Sequence, residues 1–333
     1  MLRIRARGAN APVLMTTSER PQPPKGGFSA RRLISIDDLT DADIRYLLKL
    51  AEYYAGYLRR AAPAPRRLAG KTQINLFFED STRTNLSFEL AGKKLGADVI
   101  NVPVSASSVH KGETAIDTAQ TMAAMGAHVM IVRAKEEDLH YALDETLACP
   151  IVNGGAGKRE HPTQALLDAV AIRSEFGTLE GLTIAICGDI KHSRVAGSDA
   201  RLFQRLNANV RFVGPAHLMP PDDQFTDIPR FDNLKEGLDG ADVAMALRMQ
   251  FERMEGDGKA LAQGFFEEFG LTHETLKLAK PGARVMHPGP MNRGVEICGD
   301  LADDEELSLI LRQVFYGVAM RMACLDALLT KGE

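Results

Sequence analysis

From Gln73 to Ala134 short apolar runs alternate with stretches of helical spacing, and that rhythm restricts the chain to very few folds. QINLFF (73 to 78) is followed by a helical stretch near 84 to 95, DVINVPV (98 to 104) by another near 113 to 125, and HVMIVRA (128 to 134) closes the series. Short strands separated by helices form a parallel sheet with crossover helices. A long helical pattern then opens at HPTQALLDAVAIRSEFG, and the alternation restarts with TIAICGD, NVRFVGP, VAMALR and ARVMHPGP. The expected fold class is α/β: two doubly wound domains, each with a mostly parallel sheet, joined by one long helix. Upstream, TDADIRYLLKLAEYYAGYL starts with a T-x-x-D capping box at Thr40 and repeats Ile44, Leu47, Leu48 and Ala51 at helical spacing, which predicts a first helix. An amphipathic stretch near 305 to 329 predicts a last helix that returns to brace the first domain.

Two cores of this kind are within reach of 333 residues with a 45% hydrophobic fraction. A formal net charge of -4 excludes a surface that binds nucleic acid or an anionic membrane over the whole molecule, so any anion site is built from a few placed cations. Cys149, Cys187, Cys298 and Cys324 are far apart and form no C-x-x-C pair, which supports neither a disulfide framework nor structural zinc and fits a reducing cytoplasm. No apolar run reaches the roughly 18 to 20 residues that cross a bilayer. The opening stretch, rich in Arg, Pro and Gly, is expected to be a disordered extension over residues 1–29; its acid-poor start also fits a transit peptide or a start placed upstream of Met15.

Chemistry concentrates where predicted strands end. In FFEDSTRTNLSFE a strand runs out and Ser81, Thr82, Arg83 and Thr84 lead into a helix. Free backbone N–H groups, hydroxyls and a guanidinium there make a phosphate site, and an Arg in the first turn, which opposes the helix dipole, needs such a reason. His161 and Gln164 are three apart at a helix start, on one face, with Pro162 where a missing N–H costs nothing. GDIKHSR (188 to 194), LRMQ (247 to 250) and HPGP (287 to 290) each follow a predicted strand, where ligands of open α/β sheets bind. Arg248 and Gln250 are two apart in extended chain and project to one side. Taken alone, His161 is more often a cap or surface residue, Arg194 a surface residue or first-turn salt bridge, and Arg248 a strand-end ion pair. Gly188 ends a strand, but the G-x-G-x-x-G spacing is absent, with Lys191 and Ser193 in its place, which argues against a nicotinamide enzyme.

Together these motifs resemble the aspartate and ornithine carbamoyltransferase family, in order, from about residue 34 to 325. F-x-x-S-T-R-T is similar to its carbamoyl-phosphate motif, SSVHKGET (107 to 114) to its mobile loop, and HPTQ (161 to 164) to its carbonyl-binding motif. The resemblance implies a carbamoyl-phosphate-binding domain over 30–160 with 306–333, and an aspartate-binding domain over 161–305. It assigns Ser81, Thr82, Arg83, Ser107 and Lys111 to the phosphate, Thr84, Arg133 and His161 to the carbonyl oxygen, and Gln164, Pro288 and Gly289 to the rest of the carbamoyl group. Lys111, Arg194, Arg248 and Gln250 are assigned to aspartate. Of these, Arg83, Thr84, Lys111, Arg133 and His161 are the expected catalytic set. The implied reaction is attack by the α-amine of L-aspartate on carbamoyl phosphate in pyrimidine synthesis, with no cofactor and no metal. Ornithine transferases typically carry S-M-G and H-C-L-P segments, where this chain has LRMQFERM and HPGP. A non-catalytic scaffold is disfavoured because Arg83, Lys111, Arg133, His161 and Gln164 are all present. The family's assembly implies a homotrimer with shared sites, leaving open an association with regulatory or dihydroorotase chains. Asn85, His110 and Gly289 depart from the family's usual Arg, Lys or Gln, and Leu.

Overall fold

The computed structural model describes residues 19–103, 113–250 and 258–330. Helix α1 (Asp41–Arg59) begins where the sequence places it: Thr40 accepts from the Asp43 N–H and the Asp43 carboxylate reaches back to Thr40. Its stripe of Ile44, Leu47, Leu48 and Ala51 is buried, each large aliphatic side chain contributing about 1.5–3 kcal/mol relative to exposure. The chain then alternates β1 (Thr72–Phe77), α2 (Thr82–Lys94), β2 (Asp98–Pro103), α3 (Ala115–Ala124), β3 (Val129–Ala134), α4 (Leu139–Thr146) and β4 (Ile151–Ala156). These strands form a parallel sheet in the order β2-β1-β3-β4.

Helix α5 (Pro162–Phe176) leads into the second unit, with Pro162 in its first turn and Gly177 at its C-terminus. There follow β5 (Thr183–Cys187), α6 (Arg194–Arg205), β6 (Asn209–Val213), β7 (Arg230–Phe231), α7 (Leu234–Leu238), β8 (Val243–Ala246), α8 (Gly258–Phe269), α9 (His273–Leu276), β9 (Arg284–Met286) and α10 (Gly299–Ala302). The second sheet is parallel, in the order β7-β6-β5-β8-β9. The last helix, α11 (Ile310–Leu329), packs on α1, α5 and α2, returning to the first unit as the amphipathic pattern predicts.

Each sheet has one point where strand order reverses: between β1 and β3 in the first, and between β5 and β8 in the second. Crossover helices leave to opposite faces there, opening a crevice at the strands' carboxyl ends. The segments that follow β1, β3, β5 and β8 therefore face two crevices.

The expected extension over 1–29 is too long. Residues 1–18 lie outside the described residues, but Arg20 donates to Asp326 Oδ2 at 3.2 and 3.0 Å and Ser29 donates to both carboxylate oxygens of Asp43. Asp326 is fully buried and also takes Tyr54 and Arg67. A buried carboxylate of that kind needs its donors, so the segment is tied down despite its loop-like composition.

Candidate active site

At the first crevice β1 passes into Phe78, whose N–H donates to Arg133 O at 2.8 Å and so locks the end of β1 to β3. Ser81 occupies the N-cap position of α2, yet its hydroxyl makes no capping bond; a mere cap is not its role. No acid stands in the first turn of α2, where Arg83 sits. Burial and the charge of Arg248 push the Arg83 guanidinium below its usual range, which brings together cations from the first and second units.

Among the described residues, the Glu79 carboxylate bridges two arginines. Glu79 Oε2 accepts from both terminal nitrogens of Arg194 at 3.2 Å and lies 3.5 Å from Arg133 Nε. Arg133 also donates to Gly154 O at 3.1 Å. Burial, followed by the neighbouring Arg194, takes Arg133 down to about 10 against the opposing pull of Glu79, so it stays charged at neutral pH. Gly155, at φ +130°, lies against the two guanidiniums: a Cβ there would stand 2.7 Å from Arg133 Nη1 and 3.0 Å from Arg194 Nη1.

Between the units is a cleft of about 410 Å³ lined by Phe78, Glu79, Asp80, Arg133, Lys135, Arg194, Arg248 and Gln250. Its charged lining has four cations and two carboxylates, an electropositive balance in an acidic chain. At the second crevice Leu247 and Met249 are buried while Arg248 and Gln250 turn to the cleft, the alternation expected of extended chain. Gln250 donates to His192 O at 2.8 Å and Asn292 to Met249 O at 3.2 Å, which fixes this segment from both sides.

His161 is the N-cap residue of α5 and is buried, its N–H bonded to Ser198 Oγ at 2.9 Å. Burial, then the charges of Arg321, Arg133 and Arg194, hold its imidazole well below the usual pKa. It is a neutral hydrogen-bonding group rather than a cation. Thr84 and Gln164 are buried beside their helix starts. Gly289, at φ +66°, packs on Arg83, with a Cβ position 3.1 Å from Cζ; thus HPGP of the second unit meets S-T-R-T of the first. Ser107, His110 and Lys111 lie outside the described residues. Glu79, Lys135 and Gly155 are site residues that motif reading passed over, although Glu79 and Lys135 also stand at strand ends.

Residues 31–174 match the family model for the aspartate/ornithine carbamoyltransferase carbamoyl-P binding domain, and residues 180–328 match that for the Asp/Orn binding domain. An aspartate carbamoyltransferase catalytic subunit from Methylorubrum populi is 51% identical over 303 residues, covering 91% of this chain and 96% of that protein. Its counterpart from Sphingopyxis alaskensis is 50% identical over 323 residues, covering 96% and 94%. Aspartate transcarbamoylase from Trypanosoma cruzi in complex with carbamoyl phosphate superposes with a TM-score of 0.85 at 32% identity, over 94% of this chain and 100% of that one. The same enzyme with N-(phosphonacetyl)-L-aspartic acid gives 0.82 at 33% identity, over 94% and 99%. On sequence, fold and the geometry of the cleft, this chain belongs to the aspartate/ornithine carbamoyltransferase family.

Proposed function

We propose that the chain transfers the carbamoyl group of carbamoyl phosphate to the α-amine of L-aspartate, giving N-carbamoyl-L-aspartate and phosphate. The observation that carries this reading is the placement of Arg194 and Arg248 with Gln250 on the cleft, opposite Arg133 and next to Arg83. Two carboxylates on one substrate and a phosphate on the other match that charge. Ornithine brings a side-chain ammonium, which the same guanidiniums repel.

Ser81, Thr82 and Arg83, with Ser107 and Lys111, hold the phosphate; Thr84, Arg133 and His161 donate to the carbonyl oxygen as it gains negative charge, commonly the largest electrostatic term in acyl transfer. Gln164 and the carbonyls of Pro288 and Gly289 accept from the carbamoyl amine. Arg194, Arg248, Gln250 and Lys111 hold aspartate. The departing phosphate takes the proton released by the attacking amine, so no separate base is needed. The domains divide at residues 160 and 305, and approach of the two brings the amine within reach of the carbonyl carbon. A homotrimer in the cytoplasm, serving pyrimidine synthesis, completes the reading.

The test is phosphate release from carbamoyl phosphate by the purified chain, with aspartate and with ornithine as acceptors. Aspartate-dependent turnover is expected, and Arg248→Ala should weaken use of aspartate while leaving carbamoyl-phosphate binding nearly intact. Preference for ornithine, or no turnover with either amine, overturns the reading.

A further inference from the structure

A chain of buried hydrogen bonds runs from Gln164 to the segment at 287–289. Gln164 Nε2 donates to both carboxylate oxygens of Asp168 at 3.1 Å. On α11, Gln313 Nε2 donates to Asp168 Oδ1 at 2.7 Å, and Gln313 Oε1 accepts from the His287 N–H at 3.0 Å. The ring of His287 extends the chain, with Nε2 3.0 Å from Glu296 Oε1 and Nδ1 accepting from the Gly289 N–H at 2.8 Å. Asp168, Gln313, His287 and Glu296 are at most 2% exposed, so bulk water does not replace a lost bond.

The chain has a direction. Asp168 Oδ1 accepts from both amides, so both turn their NH2 groups toward it. Gln164 then has Oε1 on its other edge, as an acceptor. Gln313 has its Oε1 toward His287, whose Nδ1 accepts and whose Nε2 carries the proton donated to Glu296. One carboxylate thus sets two amides, and through Gln313 the backbone of 287–289.

We infer that Asp168 is a positioning residue that makes the pocket select a carbamoyl group over an acyl group of the same shape. It presents Gln164 Oε1 to the carbamoyl NH2 and, through Gln313 and His287, fixes the Pro288 and Gly289 carbonyls that take the same amine. This rests on carbamoyl phosphate being the substrate, as proposed above. Acetyl phosphate replaces NH2 by CH3, keeps every phosphate and carbonyl contact, and leaves those acceptors unpaired. With Asp168 unable to accept from both amides, Gln164 is free to flip and meet the carbamoyl NH2 with its own.

The experiment uses the full chain and its Asp168→Leu and Gln313→Met variants, Leu because an Asn oxygen could still accept from both amides, with carbamoyl phosphate and acetyl phosphate compared as donors to aspartate and inorganic phosphate as a competing ligand. Wild type should prefer carbamoyl phosphate by roughly 100-fold or more in kcat/KM, as expected of a site built to pair a substrate N–H. Both variants should narrow that preference by at least about tenfold, while the inhibition constant of inorganic phosphate stays within about twofold, which also shows the pocket to be folded. Asp168→Leu added to the double variant Gln164→Leu with Gln313→Met should narrow it little further, because both branches from the carboxylate are then already cut. An unchanged preference, or equal weakening of carbamoyl phosphate and inorganic phosphate, overturns the positioning role. Should Asp168→Leu not fold, Gln313→Met decides by the same criterion, since it leaves the carboxylate in place. Absence of aspartate-dependent turnover in wild type is a different failure, that of the underlying reaction.

Discussion

Glu79 and Arg194 join the two units through a single oxygen: Oε2 of the one takes both terminal nitrogens of the other at 3.2 Å. Both side chains are about 15% exposed or less, so the pair is neither a freely solvated surface contact nor an isolated buried charge. Glu79 also offsets the mutual repulsion of Arg133 and Arg194.

Glu79→Gln keeps an oxygen acceptor and removes the charge. Arg194 then loses its anchor on the first unit, and the two guanidiniums face each other with less compensation. The expected outcome is a rise of about tenfold in KM for aspartate, corresponding to about 1.4 kcal/mol, with a smaller change for carbamoyl phosphate. Steady-state kinetics with each substrate varied in turn checks it; equal effects on both would place Glu79 outside the aspartate half of the cleft.

Gly155→Ala tests the close approach of backbone to the arginine pair. A side chain at φ +130° is strained by about 1–3 kcal/mol, and its Cβ would displace Arg133 Nη1 from 2.7 Å. Lower stability in urea is expected together with a loss of activity of about 100-fold, larger than strain alone explains. Full activity in a destabilised variant would show that Arg133 tolerates the shift.

Much of this frame is legible in the chain itself. The Thr40 box, the apolar runs of β1, β3, β5 and β8, and the spacing of Arg248 and Gln250 are local signals, and local signals survive folding. Strand β4 is harder to see because Asn153, Gly154 and Gly155 interrupt its apolar run, although every residue of it is buried. The two-residue strand β7 has no period to detect. Asp168 and Gln313 are separated by 145 positions and look like interruptions of apolar helix faces; only the return of α11 onto α5 makes them partners. Glu79 stands inside the most informative motif, but an acid is not what an anion pocket leads one to seek, and its role depends on Arg194 arriving from the other unit.

The proposed trimer is tested by mixing two inactive variants. If Lys111 serves the site of a neighbouring chain, Lys111→Ala and Arg83→Ala should each be nearly inactive, since each removes a cation from every phosphate pocket. In a mixed cyclic trimer, an interface with Lys111 from the Arg83→Ala chain and Arg83 from the Lys111→Ala chain is wild type at both positions. Equal random mixing should restore roughly a quarter of the sites. Mixtures that stay as inactive as their parents, while wild type recovers through the same procedure, would mean that Lys111 acts within its own chain or not at all.

Asp199 on α6 provides a pH test. It is fully buried, and neither carboxylate oxygen has a hydrogen-bond partner among the described residues. Burial, reinforced by the Asp168 carboxylate, holds its pKa well above the usual range. The Asp168 carboxylate on α5, itself raised to about 7 by burial, is the charge that acts on it, and Arg321 on α11 acts in turn on Asp168 and on the neutral His161 that caps α5. With the folded pKa above the unfolded value of about 3.9, the folded chain keeps a proton that the unfolded chain releases. Stability from this group is therefore complete below about pH 4 and is lost as pH rises toward the folded pKa, by at most about 1.4 kcal/mol per pH unit. Asp199→Asn is neutral at every pH and nearly isosteric. Its amide brings a cost of about 1–3 kcal/mol if its N–H groups stay unpaired, but that cost does not vary with pH. The contribution of Asp168, present in both proteins, largely cancels in the comparison. Urea denaturation at pH 5 and pH 8 should therefore show the variant gaining on wild type by about 1 kcal/mol or more at the higher pH, whatever the offset at the lower. Parallel stability curves across that interval would mean that Asp199 does not carry a proton there, and that a partner for its charge has to be found on α5 or α11.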